Sequence, residues 1–326
     1  MNPLTPLQKR LCTILQDGLS LCARPFAEIA KLLDSSEETV LKEIRGLKNS
    51  GVIRRLGAII DYRALGRVST LVTSHVQQED LQEVTAAVNK LAGVSHNYLR
   101  QHYYNLWFTL QGNSQTEIET TLLQLSARFG IDFHSMPVIR SFKLDVRFDA
   151  EKGGDVTANG LAKMRVAKAK KVELTDKQKL ILTGLQNELA IVEKPFESLC
   201  YEKLNEKEVL KIIDLLVEKS VINRIAAIVD HRRLGFIANV MFVCSVPHEK
   251  IVETGNALAN FSIVSHCYER KTFEGWPYNL FAMMHGLSMG DIQKTIDKFT
   301  ESQKIEDFEM LPTIAELKKH PVQQIL

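Results

Sequence analysis

Apolar residues recur at helical spacing through the first fifty positions. Leu7, Leu11, Ile14 and Leu15 fall on one face, and Phe26, Ile29, Ala30 and Leu33 mark a second, shorter helix. Val40, Leu41, Ile44 and Leu47 line a third, with Ser35 or Ser36 as its N-cap and Ser50-Gly51 as its stop. The period then changes, and Val52 to Ile60 reads as strand. Three helices followed by a strand ribbon predict a winged helix-turn-helix. Beyond it, strand and helix alternate: Arg67 to Val76 strand, Glu79 to Leu91 helix, Val94 to His102 and Tyr104 to Gln111 strands, Thr116 to Phe129 helix, Ile131 to Phe148 extended. That order, βαββαβ, is the ferredoxin-like arrangement of a four-stranded antiparallel sheet with two helices on one face.

The whole pattern is written twice. Leu4-Thr-Pro-Leu-Gln-Lys answers Leu174-Thr-Asp-Lys-Gln-Lys, Val52-Ile-Arg-Arg55 answers Val221-Ile-Asn-Arg224, and Val94-Ser-His96 answers Val264-Ser-His266. A repeat of this length is a domain duplication. The expected fold class is α+β, with a first winged helix-turn-helix over 1–62 and a first ferredoxin-like domain over 63–149. A linker over 150–172 leads to a second winged helix-turn-helix over 173–231, capped by Asn205, and a second ferredoxin-like domain over 232–326. A sheet with one bare face needs a partner, and a duplicated chain carries its own. The two sheets are expected to face each other across a pseudo-twofold axis as an internal pseudo-dimer, with further self-association open.

One strand does not read as core on either face. His96, Tyr98, Arg100 and His102 share a face, as do His266, Tyr268 and Arg270 in the repeat. Paired arginines on a polar sheet floor suit carboxylates, because a planar guanidinium takes both oxygens at once. Histidine and tyrosine beside them suit acid–base chemistry. Tyr104 and Asn105, and their counterparts Tyr278 and Asn279, follow directly, with Trp276 in a second-unit insertion. Arg54, Arg55 and Arg224 lie in the wings. The halves are not equivalent: Thr272 stands where the first unit has His102, and Asn223 where it has Arg54.

Composition narrows the class. The net charge is 41 − 39 = +2, and five cysteines show no CxxC spacing. There is no global pull toward nucleic acid or membrane, no disulfide framework and no structural zinc pattern. No apolar run approaches the roughly 20 residues that span a bilayer, and the N-terminus lacks signal-peptide order, so a reducing cytoplasm is expected. Walker, GxGxxG, GxSxG and HExxH motifs are missing from the sequence.

Winged helix plus βαββαβ is the layout of the leucine-responsive (Lrp/AsnC-type) transcription regulators. The would-be recognition helices speak against DNA: residues 36–50 are neutral, and residues 205–220 are acidic by one charge. Gly51-Val-Ile-Arg-Arg-Leu-Gly-Ala58, His96-Asn-Tyr-Leu-Arg100 and His266-Cys-Tyr-Glu-Arg270 with Trp276-Pro-Tyr-Asn-Leu-Phe281 instead resemble the siroheme decarboxylases of the alternative haem and haem d1 pathways, themselves of Lrp/AsnC-type fold. The chain resembles both of that family's subunits fused. The resemblance implies loss of carbon dioxide from two acetates of siroheme, giving 12,18-didecarboxysiroheme. His96, His266, Tyr98, Tyr268 and His102 would be catalytic, and Arg54, Arg55, Arg100, Arg224, Arg270, Tyr104, Trp276, Tyr278, Asn105 and Asn279 would bind substrate. No cofactor is expected beyond the iron-containing substrate itself, with His96 or His266 as proton donor or as ligand to its iron. The alternative is a regulator of the same fold that senses a tetrapyrrole.

Overall fold

The computed structural model describes residues 3–144, 147–148, 171–201 and 204–319. The repeated Leu-Thr…Gln phrase is a pair of capping boxes. At α1 (Pro6–Asp17) the Thr5 hydroxyl accepts from the Gln8 N–H, while the Gln8 side chain accepts from the Thr5 N–H; Thr175 and Gln178 do the same at α6 (Asp176–Asn187). In the first unit α2 (Pro25–Leu32) and α3 (Glu37–Asn49, capped by Ser36) complete the expected trio. The second unit departs from it. α7 (Glu206–Glu218) carries the Asn205 cap, but Pro195–Leu199 is only a 3-10 helix. Past Cys200 the sequence offers no equivalent of the α2 stripe, so a longer helix would bury little to offset its nucleation cost.

The wing ribbon is shared between the units and not built within each. β1 (Ile53–Ile60) pairs antiparallel with β6 (Ile222–Val229), Gly57 opposite Ala226. The pairing merges both helical regions into one core, in which Leu11, Phe26, Ile44 and Leu56 of the first unit join Leu185, Phe196 and Ile213 of the second. The wings therefore hold the two units in a fixed relation.

Below them the first unit supplies β2 (Val68–Ser74), α4 (Leu81–Lys90), β3 (Val94–Arg100), β4 (Leu106–Gly112), α5 (Gln115–Phe129) and β5 (His134–Leu144). The second supplies β7 (Ala238–Cys244), α8 (Ile251–Ala259), β8 (Val264–Arg270), β9 (Leu280–Gly286), α9 (Met289–Gln303) and β10 (Phe308–Lys319). The two sheets join edge to edge into a closed barrel, ordered β10-β3-β4-β2-β5-β8-β9-β7. The long last strands make the closure. β5, of 11 residues, pairs with β2 of its own unit and β8 of the other, and β10, of 12, pairs with β7 and β3. Closure pairs each of the eight barrel strands on both sides. The sheets thus face each other as expected, within one chain, across a lumen that the helices do not enter. The expected linker lies, as far as residue 170, outside the described residues. Among the described residues no helix is long and apolar enough to cross a membrane.

Candidate functional site

Alternation along β3 and β8 decides what reaches the lumen. Asn97 turns outward and donates to Asn89 of α4 at 3.0 Å, and Cys267 packs under α8 and α9. His96, Tyr98 and Arg100, with His266, Tyr268 and Arg270, therefore point inward. Contacts agree: across the lumen an Arg100 Nη lies 3.6 Å from the Met283 sulfur of β9, and an Arg270 Nη donates to the Met136 carbonyl of the neighbouring strand β5 at 2.9 Å. The other Arg100 Nη donates to the Leu311 carbonyl and to Thr313. Both Nε atoms are buried with no hydrogen-bond partner. Two cations thus keep one donor each for an acceptor that the barrel does not supply.

The wing end of the lumen is richer in charge on the first unit's side. Arg54 donates to Asp230 at 3.0 and 2.7 Å and to Glu316 of β10 at 3.3 Å. Burial is the largest single influence and works against the Arg54 charge, but the Asp230 and Glu316 carboxylates together outweigh it and its pKa is raised. Glu316 pairs in register with Tyr98, and Lys319 with His96. The second unit has Ser141 opposite Tyr268 and Leu144 opposite His266. There Asn223 stands in the place of Arg54, and the Asp61 carboxylate is held by Arg63 at 2.9 and 2.7 Å.

Both strand histidines are fixed in the same way. The Ser95 hydroxyl meets His96 Nδ1 at 2.8 Å, and the Ser265 hydroxyl meets His266 Nδ1 at 3.0 Å, which leaves each Nε2 facing the lumen. Two further histidines join them that sequence reasoning missed. His285 lies on the lumen face of β9, and His231 follows Asp230 at the end of the wing, their ring centroids 4.8 Å apart. Burial, reinforced by Lys319, pushes His96 and His231 down to about 4; burial and then the neighbouring His96 do the same to His266, and His285 is well below its ordinary value. Burial raises Tyr98 and Tyr268 to about 12 and lowers Arg100 and Arg270 to about 10, so the phenols stay neutral and the guanidiniums charged at pH 7.

These depressed histidines fix a sign. Between their folded values near 4 and the ordinary 6.5, the unfolded chain binds protons that the folded one refuses. Stability should therefore fall as pH drops from 7 to 5, by an amount on the order of a few kcal/mol summed over the cluster. Urea unfolding at the two pH values measures it. An unchanged midpoint would mean that these imidazoles are protonated in the fold.

Several expected site residues lie elsewhere. β3 ends at Arg100, and His102 sits in the bend beyond it, not on the His96 face. His102 Nε2 pairs with Glu309 at 2.9 Å and its Nδ1 accepts from the Tyr104 N–H, so it closes the far end of the barrel. Tyr104, Trp276 and Tyr278 belong to that same plug with Trp107, Phe281 and Leu311, and Tyr278 donates to Glu309. Asn105 and Asn279 clamp backbone, each bonding both the N–H and the carbonyl of one residue, Val76 and Val246 respectively. Arg55 donates to the Leu185, Gln186 and Ala58 carbonyls, and Arg224 lies against Gly18 at the end of α1; both tie wing to helix. Two of the three cations of α3 are also committed, Arg45 to the Ile191 carbonyl and Lys48 to Glu188 and the Arg54 carbonyl.

Comparison with known proteins gives the family and the overall fold. The family model for the AsnC-like ligand binding domain covers residues 64–143 and 233–318, and that for the siroheme decarboxylase NirDL-like HTH domain covers 8–54. A siroheme decarboxylase of Hydrogenobacter thermophilus is 35% identical over 95% of this chain and 92% of its own. The crystal structure of the siroheme decarboxylase NirDL in co-complex with an iron-uroporphyrin III analogue superposes with a TM-score of 0.72 at 30% identity, over 98% of this chain and 95% of that one. A siroheme decarboxylase alpha subunit of Desulfovibrio desulfuricans is 40% identical over 44% of this chain and 82% of its own, as a single unit of the repeat would be.

Proposed function

The chain belongs to the siroheme decarboxylase family, and from that premise we propose that it is a carboxy-lyase that removes two acetate carboxyl groups from siroheme, at the wing end of the barrel lumen. The observation that carries the reading is the pair of lumen-facing guanidiniums, Arg100 and Arg270, each with a buried Nε that lacks a partner. A flat polycarboxylate supplies such acceptors, and a charge-assisted hydrogen bond to a buried donor is among the stronger contacts available. Arg54 and Lys319 add cations at the first unit's side, and Tyr98 and Tyr268 keep their phenol protons.

Loss of carbon dioxide from a pyrrole acetate drains electrons into the macrocycle and leaves a carbon that must take up a proton. The expectation that a histidine gives this proton near neutral pH meets a difficulty. His96 and His266 are neutral at pH 7, with burial as the main cause. A neutral imidazole whose Nδ1 is tied to serine and whose Nε2 faces the lumen is suited to ligating the substrate's iron. The phenol of Tyr98, on the same face, holds a proton that it can donate and recover from solvent. No cofactor beyond the substrate's own iron enters this reading. The regulator alternative gains nothing, since Arg45 and Lys48 of the would-be recognition helix already hold carbonyls and a carboxylate. Anaerobic incubation with siroheme should release two equivalents of carbon dioxide. Unchanged siroheme, under conditions in which a relative turns over, sinks the proposal.

A further inference from the structure

The loop after β6 reads Asp230-His231-Arg232, where the first unit has Asp61-Tyr62-Arg63. Asp230 holds Arg54, which places His231 beside the charged side of the lumen. The ring is buried, 3% exposed, and held on two sides: it stacks on Phe148 with centroids 5.7 Å apart and meets His285 edge-on at 4.8 Å. Phe148 is itself pinned, since its N–H donates to Gln16 and its carbonyl accepts from Gln16. An imidazole packed so firmly is expected to use both nitrogens, yet Nε2 is buried without a hydrogen-bond partner. Its charged neighbours are Asp230 and Arg232 on its own loop and Lys319 and Glu316 of β10.

We infer that His231 is a substrate-contacting residue that no sequence motif marks, its Nε2–H donating to a carboxylate of the bound tetrapyrrole on the wing side of the lumen. The inference rests on the proposed function and deepens it. An anionic ring carboxylate is the acceptor that fits, because Arg54 and Lys319 on the same side already favour negative charge. The contact belongs to one half only, since a tyrosine occupies the matching position of the other.

The test uses the full-length protein, absorbance titration with siroheme, and two variants. His231→Phe keeps a ring for Phe148 and His285 to pack on and removes the donor; His231→Gln keeps an N–H donor. Near-UV circular dichroism checks that both fold. Loss of a hydrogen bond to a charged group should weaken siroheme binding about ten- to a hundred-fold in His231→Phe, with His231→Gln within about threefold of wild type. Wild-type affinity in a folded His231→Phe, or equal loss in both folded variants, overturns the contact, the second by showing that the ring only packs. If both variants misfold, His231 is structural and the inference fails. If the wild type binds no siroheme, the proposed function falls and the contact with it; if it binds siroheme without releasing carbon dioxide, only the function falls.

Discussion

His96→Ala should lose nearly all siroheme turnover, at least about 100-fold, the lower end of what one positioned acid–base or ligating group contributes. His266→Ala should carry out both decarboxylations at close to the wild-type rate. The two imidazoles occupy matching strand positions and share the serine bond at Nδ1. What differs is what surrounds them. Across the strand pair His96 meets Lys319, with Glu316 and Arg54 beyond. His266 meets Leu144 on one neighbour and Met283 on the other. A polyanion is drawn to the cationic side, and an imidazole flanked by leucine and methionine has little to offer it. Product analysis by mass decides the matter. If each variant instead stalls after removal of a different acetate, both floors are productive and the one-site reading fails. Because both rings are buried, a stability measurement on each variant must accompany the rates.

The duplication, the first unit's helical trio and the βαββαβ order were legible because each rests on short-range periodicity and caps. The HxYxR faces were legible for the same reason, since alternation is strict between His96 and Arg100. It failed two residues later, where the chain leaves the strand and His102 turns toward Glu309. Glu316 and Lys319 were not legible at all. β10 slips register between Thr313 and Ala315 and again between Glu316 and Lys318, so counting by twos along it misassigns faces. Nor does the sequence say that β10 crosses to the other unit, which is what brings these charges to His96. His285 could have been found: it continues the Phe281, Met283 row of β9 as a polar residue on a lumen face. Asn105 and Asn279 bond backbone in the fold, and a clamp and a ligand donor look alike in sequence. Trp276 and Tyr278 stand in the aromatic plug, and an aromatic plug and an aromatic substrate wall have the same composition in sequence.

Arg54 and Glu316 should act in opposite directions on the same binding event. Arg54 is held by two carboxylates, Asp230 and Glu316, and the second unit has Asn223 in its place. Arg54→Ala removes a carboxylate partner and leaves those two negative charges facing an incoming polyanion. Truncating one member of a hydrogen-bonded charge pair costs about 2–5 kcal/mol, so the KM for siroheme should rise by about thirty-fold or more. Glu316→Gln removes one of the repelling charges and releases part of the hold on Arg54. Siroheme should then bind more tightly, by about three- to tenfold at low salt, and the gain should shrink as salt screens it. The structural alternative is that Arg54 only ties wing to barrel. In that case Glu316→Gln weakens binding or leaves it unchanged, because the tie is loosened and nothing is gained. The double variant Arg54→Ala with Asp230→Asn separates the two further. Removing the orphaned carboxylate should restore stability lost in Arg54→Ala, whereas siroheme affinity should stay low because the cation is still missing. Recovery of both together would assign Arg54 to the scaffold alone.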